Sequence, residues 1–243
     1  MIKKYLCLAL LGLMIFCSGA VFAFTGKEVL EKVDESMVRN NQIAVMSMTI
    51  TDKNGIAQKR EIQLYQKEGG KRLIKFLSPA DVKGVSFLSL PGDEMWIYMP
   101  ALGKVRRIAS HVKKQSFMGT DFSYEDMGGE KFSEEQINTF TENDDSYMLE
   151  VTSNKKDKSY SKVKIVVNKE TFIPKTTEFY DKAGRLLKIM VNTLVEKVDD
   201  KWVAKEIKMT NVQEKHETIL KMTKMSFDSN ISDDIFTQRN MQK

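Results

Sequence analysis

The chain has 243 residues, 42% of them hydrophobic and 29% charged, and carries a net charge of +5. It is long enough to bury one sizeable core or two small ones, and the charge is too mild to imply nucleic acid as a partner. Its two cysteines, Cys7 and Cys17, both stand near the start.

Lys3 and Lys4 form a basic n-region, Leu6 to Phe16 an apolar h-region, and Val21-Phe22-Ala23 a small-x-small site. Residues 1–23 therefore read as an export signal cleaved after Ala23. Its apolar run is about a dozen residues, against the ~20 that cross a bilayer. The mature chain, 24–243, keeps 13 methionines and no cysteine, which excludes disulfides and thiolate metal sites. A rival reading lipidates Cys17, but the bulky Phe16 before it is wrong for such a site. No later hydrophobic run reaches membrane-spanning length, so the mature chain is expected to be soluble.

Thr25 can cap a helix in which Val29, Leu30, Val33 and Met37 recur at steps of three and four. From Ile43 the period changes to two, with Ala44, Met46, Met48 and Ile50 on one face, and Asn54-Gly55 then turns the chain. A return strand runs through Ile62 and Leu64 to Gln66. Strands at 72–77, 85–90, 94–99 and 104–108 follow, separated by Pro- and Gly-containing turns. A second set reads at 147–152, 161–167, 176–180, 186–194, 203–210 and 218–227. Between the sets, 109–136 shows no sustained alternation and no linker composition, so 24–243 reads as a single domain. Residues 232–238 suggest a final helical turn carrying Ile235 and Phe236. Such a meander must close or be covered, because an open sheet exposes two edges and a face. In the strand at 94–99, Met95, Ile97 and Met99 form one apolar face while Trp96 and Tyr98 occupy the other, so both faces want cover.

For catalysis the inventory is thin. The two histidines, His111 and His216, are distant in sequence, and no G-x-S-x-G, H-E-x-x-H or P-loop pattern nominates a nucleophile or cofactor. His216, between Lys215 and Glu217, reads as a solvated hairpin residue. The stretch SFMGTDFSYEDMGG, 116–129, carries Asp121, Glu125 and Asp126, but their spacing is not that of a calcium loop, and no metal is expected. These acids read as clasps folding the loop back onto the basic strand that holds Lys104, Arg106 and Arg107.

The runs DEMWIYMPALGKVRRI, 93–108, and SFMGTDFSYEDM resemble the outer-membrane lipoprotein-sorting proteins, relatives of the periplasmic lipoprotein carrier. Trp96, Tyr98, Pro100, Arg106, Gly119, Asp121, Phe122, Tyr124, Glu125 and Asp126 match that family's pattern. The resemblance implies a mainly β (α+β) fold in which a strongly curved antiparallel sheet forms an incomplete β-barrel, with a few helices covering the concave face. It further implies a noncatalytic periplasmic carrier that holds acyl chains of lipoproteins or other lipids for transfer towards the outer membrane. An inner-membrane lipid-exporting permease and an outer-membrane acceptor are the implied partners. The alternative is an envelope signalling or scaffold module with a membrane partner. Candidate cavity residues are Met46, Met48, Ile50, Leu64, Ile97 and Met99 on strands, and Phe117, Met118 and Phe122 in the loop. Each has an ordinary core reading beside it. Trp96 and Tyr98 are expected beneath the lid.

Overall fold

A computed structural model describes residues 24–37, 41–129, 131–153, 158–227 and 230–243. The export signal, with Cys7 and Cys17, lies outside the described residues.

Helix α1, Gly26–Met37, starts at a reciprocal cap: Thr25 N donates to Glu28 Oε2 at 2.7 Å, and Glu28 N to Thr25 Oγ1 at 3.3 Å. Thirteen strands follow. They are β1 (Gln42–Thr51), β2 (Ala57–Lys67), β3 (Lys71–Ser78), β4 (Ser86–Leu90), β5 (Glu94–Met99), β6 (Lys104–Arg107) and β7 (Gln136–Glu142). The remainder are β8 (Ser146–Thr152), β9 (Lys162–Asn168), β10 (Pro174–Tyr180), β11 (Leu186–Val198), β12 (Lys201–Asn211) and β13 (His216–Phe227). The sequence reading missed β7, QINTFTE, because this strand lies at a sheet edge, is mostly exposed and carries little apolar alternation.

All thirteen strands form one antiparallel sheet, in the order β6-β5-β4-β3-β2-β1-β13-β12-β11-β10-β9-β8-β7. The chain thus enters near the middle at β1, meanders out to β6, reappears at the opposite edge and returns to pair β13 with β1. The sheet curves without closing into a barrel. Register shifts between Val45 and Met46, and around Leu194, are bulges that add to the bend. Since β6 and β7 are the two edges yet consecutive in the chain, residues 108–135 must travel from one edge to the other. They do so on the concave side.

The concave face holds the main core, built from Met46, Met48, Ile62, Ile74, Phe76 and Phe87 with Met190, Met209 and Leu220 from the far half. Helix α1 covers the β7–β9 end, with Val29, Leu30 and Val33 fully buried on Leu149, Ile165 and Val167. Its Asp34 accepts from the backbone N–H groups of Phe132 and Ser133 at 2.8 and 2.9 Å, tying the helix to the approach of β7. Burial raises the Asp34 pKa against those hydrogen bonds.

The expectation for Trp96 and Tyr98 is corrected. Both lie on the convex face, where Leu73 and Leu88 pack with Ile231, Phe236 and Met241 of the C-terminal tail. Two 3₁₀ turns, Asp233–Phe236 and Asn240–Gln242, shape that tail, and Ser86 Oγ donates to the Met241 carbonyl at 2.7 Å. The apolar excess on both faces of β5 is thereby used: Met95 and Ile97 inside, Trp96 and Tyr98 outside.

Candidate functional site: a cavity beneath the crossing segment

The segment that spans the mouth of the sheet has a definite local structure. After a helical turn, α2 (Ser110–Lys113), Ser116 and Ser123 form a β-bridge. Between them Phe117 N donates to Phe122 O at 2.7 Å, and Thr120 N to Phe117 O at 3.0 Å. Met118 and Gly119, at φ of 52° and 80°, occupy the centre of this tight turn, an arrangement Gly accepts and Met adopts only under tertiary restraint. Next comes α3, Tyr124–Gly128, with Ser123 and Asp126 as a capping box: Asp126 N donates to Ser123 Oγ at 3.0 Å and Ser123 N to Asp126 Oδ2 at 2.7 Å. The Ser-x-x-Asp spacing carried that signal in the sequence. The stretch matched neither period because a miniature hairpin and a one-turn helix each end before a period can repeat.

Aromatic packing anchors it. Phe117, fully buried, lies 5.4 Å from Phe87, 5.8 Å from Phe76 and 5.3 Å from Tyr124 between ring centroids. Polar links then hold the segment to strands on both sides. Arg60 Nη1 of β2 donates to Met118 O at 2.5 Å. Arg72 Nη1 of β3 donates to Met127 O at 2.8 Å, and its guanidinium packs against Gly129, where φ is +79° and a Cβ would sit 2.7 Å from Nη2.

The three acids clasp, but not onto the basic strand. Asp121, 4% exposed, accepts from Thr218 Oγ1 at 2.7 Å and lies 2.8 Å from His216 Nδ1. Glu125 pairs with Lys158 at 3.4 Å and accepts from Ser159 N and Oγ. Asp126 accepts from Tyr160 OH at 3.0 Å and lies 3.9 Å from Lys188 Nζ. Arg106 instead stands opposite Ile97 on the exposed edge strand β6 and pairs with none of the three. The reason is the crossing: by Asp121 the chain has left β6 behind, and its acids reach β13, β11 and the approach to β9. His216 is accordingly a partner of Asp121 rather than a solvated turn residue. Burial, with Asp126 beside it, pushes the Tyr160 hydroxyl well above its ordinary pKa.

Between segment and sheet lies a cavity of about 220 Å³. Met46, Ile62, Leu64 and Ile74 wall one side, and Phe179, Met190, Ile207, Met209, Leu220 and Met222 the other, with Phe122 and Met127 reaching in from the segment. Six methionines take part, counting Met37 of α1. One end is polar, with Gln66, Arg72, Asp126, Lys131, Tyr160 and Lys162. Of the residues expected to line a cavity, Met46, Leu64 and Phe122 are on its wall. Met48, Ile50, Ile97 and Phe117 are buried in the adjoining core, and Met99 and Met118 pack partly buried against it. Sequence reasoning missed the far wall, since nothing in β10–β13 announces which apolar residues meet β1–β3.

A family model described as "-like: Uncharacterized protein" matches residues 68–243. No curated protein matches the chain. Among solved structures, the chain is 28% identical to an outer membrane lipoprotein-sorting protein domain from Vibrio parahaemolyticus, with a TM-score of 0.78 and 88% and 98% of the two chains covered. A DUF1329 family protein from Desulfovibrio piger is also 28% identical, with a TM-score of 0.81 over 89% of this chain and 98% of that one. A LolA superfamily protein from Nitrosomonas europaea, 22% identical, has a TM-score of 0.75 over 90% of this chain and all of that one, a likeness of fold.

Proposed function

Because the chain belongs to the outer-membrane lipoprotein-sorting protein family, we propose that it is a noncatalytic carrier that binds acyl chains of lipoproteins or other lipids in the cavity beneath residues 108–135. The observation that carries this reading is the cavity wall: methionine and aliphatic side chains converge there from both halves of the sheet.

An acyl chain loses about 0.8 kcal/mol for each methylene exposed to water, so a carrier must shelter many of them and still release them. Methionine suits both demands, being unbranched and able to repack around different shapes. At about 220 Å³ the cavity is smaller than the ~300–1,000 Å³ usual for ligand sites, so a long chain enters only as the methionines repack or the crossing segment lifts. The segment's internal turn and cap are local, while hydrogen bonds, ion pairs and the buried side chains of Phe117, Phe122, Tyr124 and Met127 hold it to the sheet, so lifting it would break all of these together. In this reading residues 1–23 direct export to the periplasm, residues 24–243 act as one domain, and an inner-membrane permease and an outer-membrane acceptor are donor and recipient. No helix among the described residues is long and apolar enough to cross a membrane.

The test is purification from a bacterial periplasm followed by mass spectrometry of extracted lipid, with binding of a fluorescent fatty acid in vitro. Copurifying acyl lipid and saturable binding are expected. A protein that carries no lipid and binds no acyl probe is not a carrier.

A further inference from the structure

The polar end of the cavity has a charge left over. Arg72 points into it from β3, and its two hydrogen bonds, both 2.8 Å, go to neutral acceptors, the Met127 carbonyl and Gln66 Oε1. A guanidinium has five N–H donors, so this leaves donors unspent. The carboxylates nearby are engaged elsewhere, Asp126 by Tyr160, Ser123 and Lys188 and Glu135 by Lys158. Two other cavity lysines are already neutralised, Lys158 by Glu125 and Glu135 and Lys162 by Glu150. Among the described residues Arg72 makes no ion pair, while Lys131, the remaining cation on the cavity wall, is close enough to Asp34 for its charge to favour that carboxylate. Burial with no charge partner to offset it draws the Arg72 pKa down to about 10. A partly buried cation without a counter-charge is costly, and the guanidinium fork matches an oxyanion in two parallel hydrogen bonds.

We infer that Arg72, assisted by Lys131, is the headgroup site of this cavity and selects an amphiphile with an anionic head, a carboxylate or a phosphate, whose chain lies along Met46, Ile62 and Leu64. This inference rests on the carrier reading and adds the chemistry of the cargo. It orients the ligand, since the wall formed by Phe179, Met190, Met209 and Leu220 is apolar and the cation without an ion pair stands at the polar end. It also couples cargo to cover: the guanidinium that would bind the head already holds Met127 O of the crossing segment.

The experiment compares cis-parinaric acid with its methyl ester, which has the same chain and no charge, by fluorescence titration of the intact protein stripped of lipid. Lysophosphatidate and monoacylglycerol serve as competitors. The acid is expected to bind at least about tenfold more tightly than the ester, a difference of about 1.4 kcal/mol. Stronger competition by lysophosphatidate than by monoacylglycerol extends the site to phosphate; equal competition confines it to carboxylate. Arg72→Gln is expected to erase the preference while leaving ester binding, and Arg72→Lys to keep a reduced preference. Equal binding of acid and ester by the natural protein overturns the headgroup site and leaves the carrier intact, whereas binding of neither removes both. A preference that survives in Arg72→Gln removes Arg72 from the role. The acid-to-ester ratio of the natural protein stands even where a variant folds poorly.

Discussion

Asp121 and His216, 95 positions apart, meet with Nδ1 of the imidazole 2.8 Å from one carboxylate oxygen and 2.9 Å from the other. Thr218 completes the contact from both directions: its hydroxyl donates to Asp121 Oδ2 and accepts the Asp121 backbone N–H at 3.0 Å. The crossing segment is thereby pinned to β13, the strand that pairs with β1 at the middle of the sheet.

Asp121→Ala removes a buried acceptor of two side-chain hydrogen bonds and leaves His216 and the Thr218 hydroxyl without it. A loss of about 2–4 kcal/mol in unfolding free energy is expected from urea titration, with faster amide exchange across 117–124. An unchanged midpoint would show that the pin contributes nothing to holding the segment.

The two phenylalanines of the segment have separable roles. Phe117→Ala opens a hole among Phe76, Phe87 and Tyr124 and should cost about 3–5 kcal/mol of stability. Phe122→Ser alters the cavity wall, so its larger effect should be on acyl-probe affinity, lowered about tenfold or more, measured where the variant is shown to be folded. Equal probe affinity for Phe122→Ser and the natural protein would detach this residue from the ligand.

Deleting residues 230–243 uncovers the convex face of β3–β5. Ile231, Phe236 and Met241 are each at most 4% exposed, and at about 2 kcal/mol for each side chain the tail is worth several kcal/mol. The shortened chain should melt at lower temperature and bind a hydrophobic dye on its outer face. A truncated protein as stable as the full chain would contradict the second core.

Asp181 organises the β10–β11 turn. Its carboxylate accepts from Ala183 N and Arg185 N, both at 2.9 Å, and is held down to a pKa of about 2, first by the Arg185 backbone hydrogen bond. Because the folded value is below the ordinary 3.8, the stabilisation is fully present above that value and is lost as pH falls towards about 2. Asp181→Asn should lower stability at neutral pH and converge on the natural protein as pH falls towards about 2, flattening the acid limb between these limits. Superimposable profiles would remove Asp181 from acid sensitivity.

Much of this molecule is legible locally. The alternation of Ala44, Met46, Met48 and Ile50 identified β1 and its buried face, and Thr25 with Glu28 marked the start of α1. The Ser123–Asp126 cap is equally legible in its Ser-x-x-Asp spacing, although three aromatics and three acids surround it. β7 was not readable, since an exposed polar edge needs no apolar period.

Local sequence accounts for the helix, twelve of the thirteen strands, their turns and the excess of apolar surface on both faces of β5, because period, cap and turn act between residues a few positions apart. Only the tertiary structure decided what that surface meets. Placing β1 beside β13 makes β6 and β7 the two edges and sends the intervening chain across the concave face. From that crossing follow the partners of Asp121, the far wall of the cavity, and the placing of Trp96 outside under the C-terminal tail. Each depends on strands distant in the chain finding one register, and no local spacing encodes that pairing.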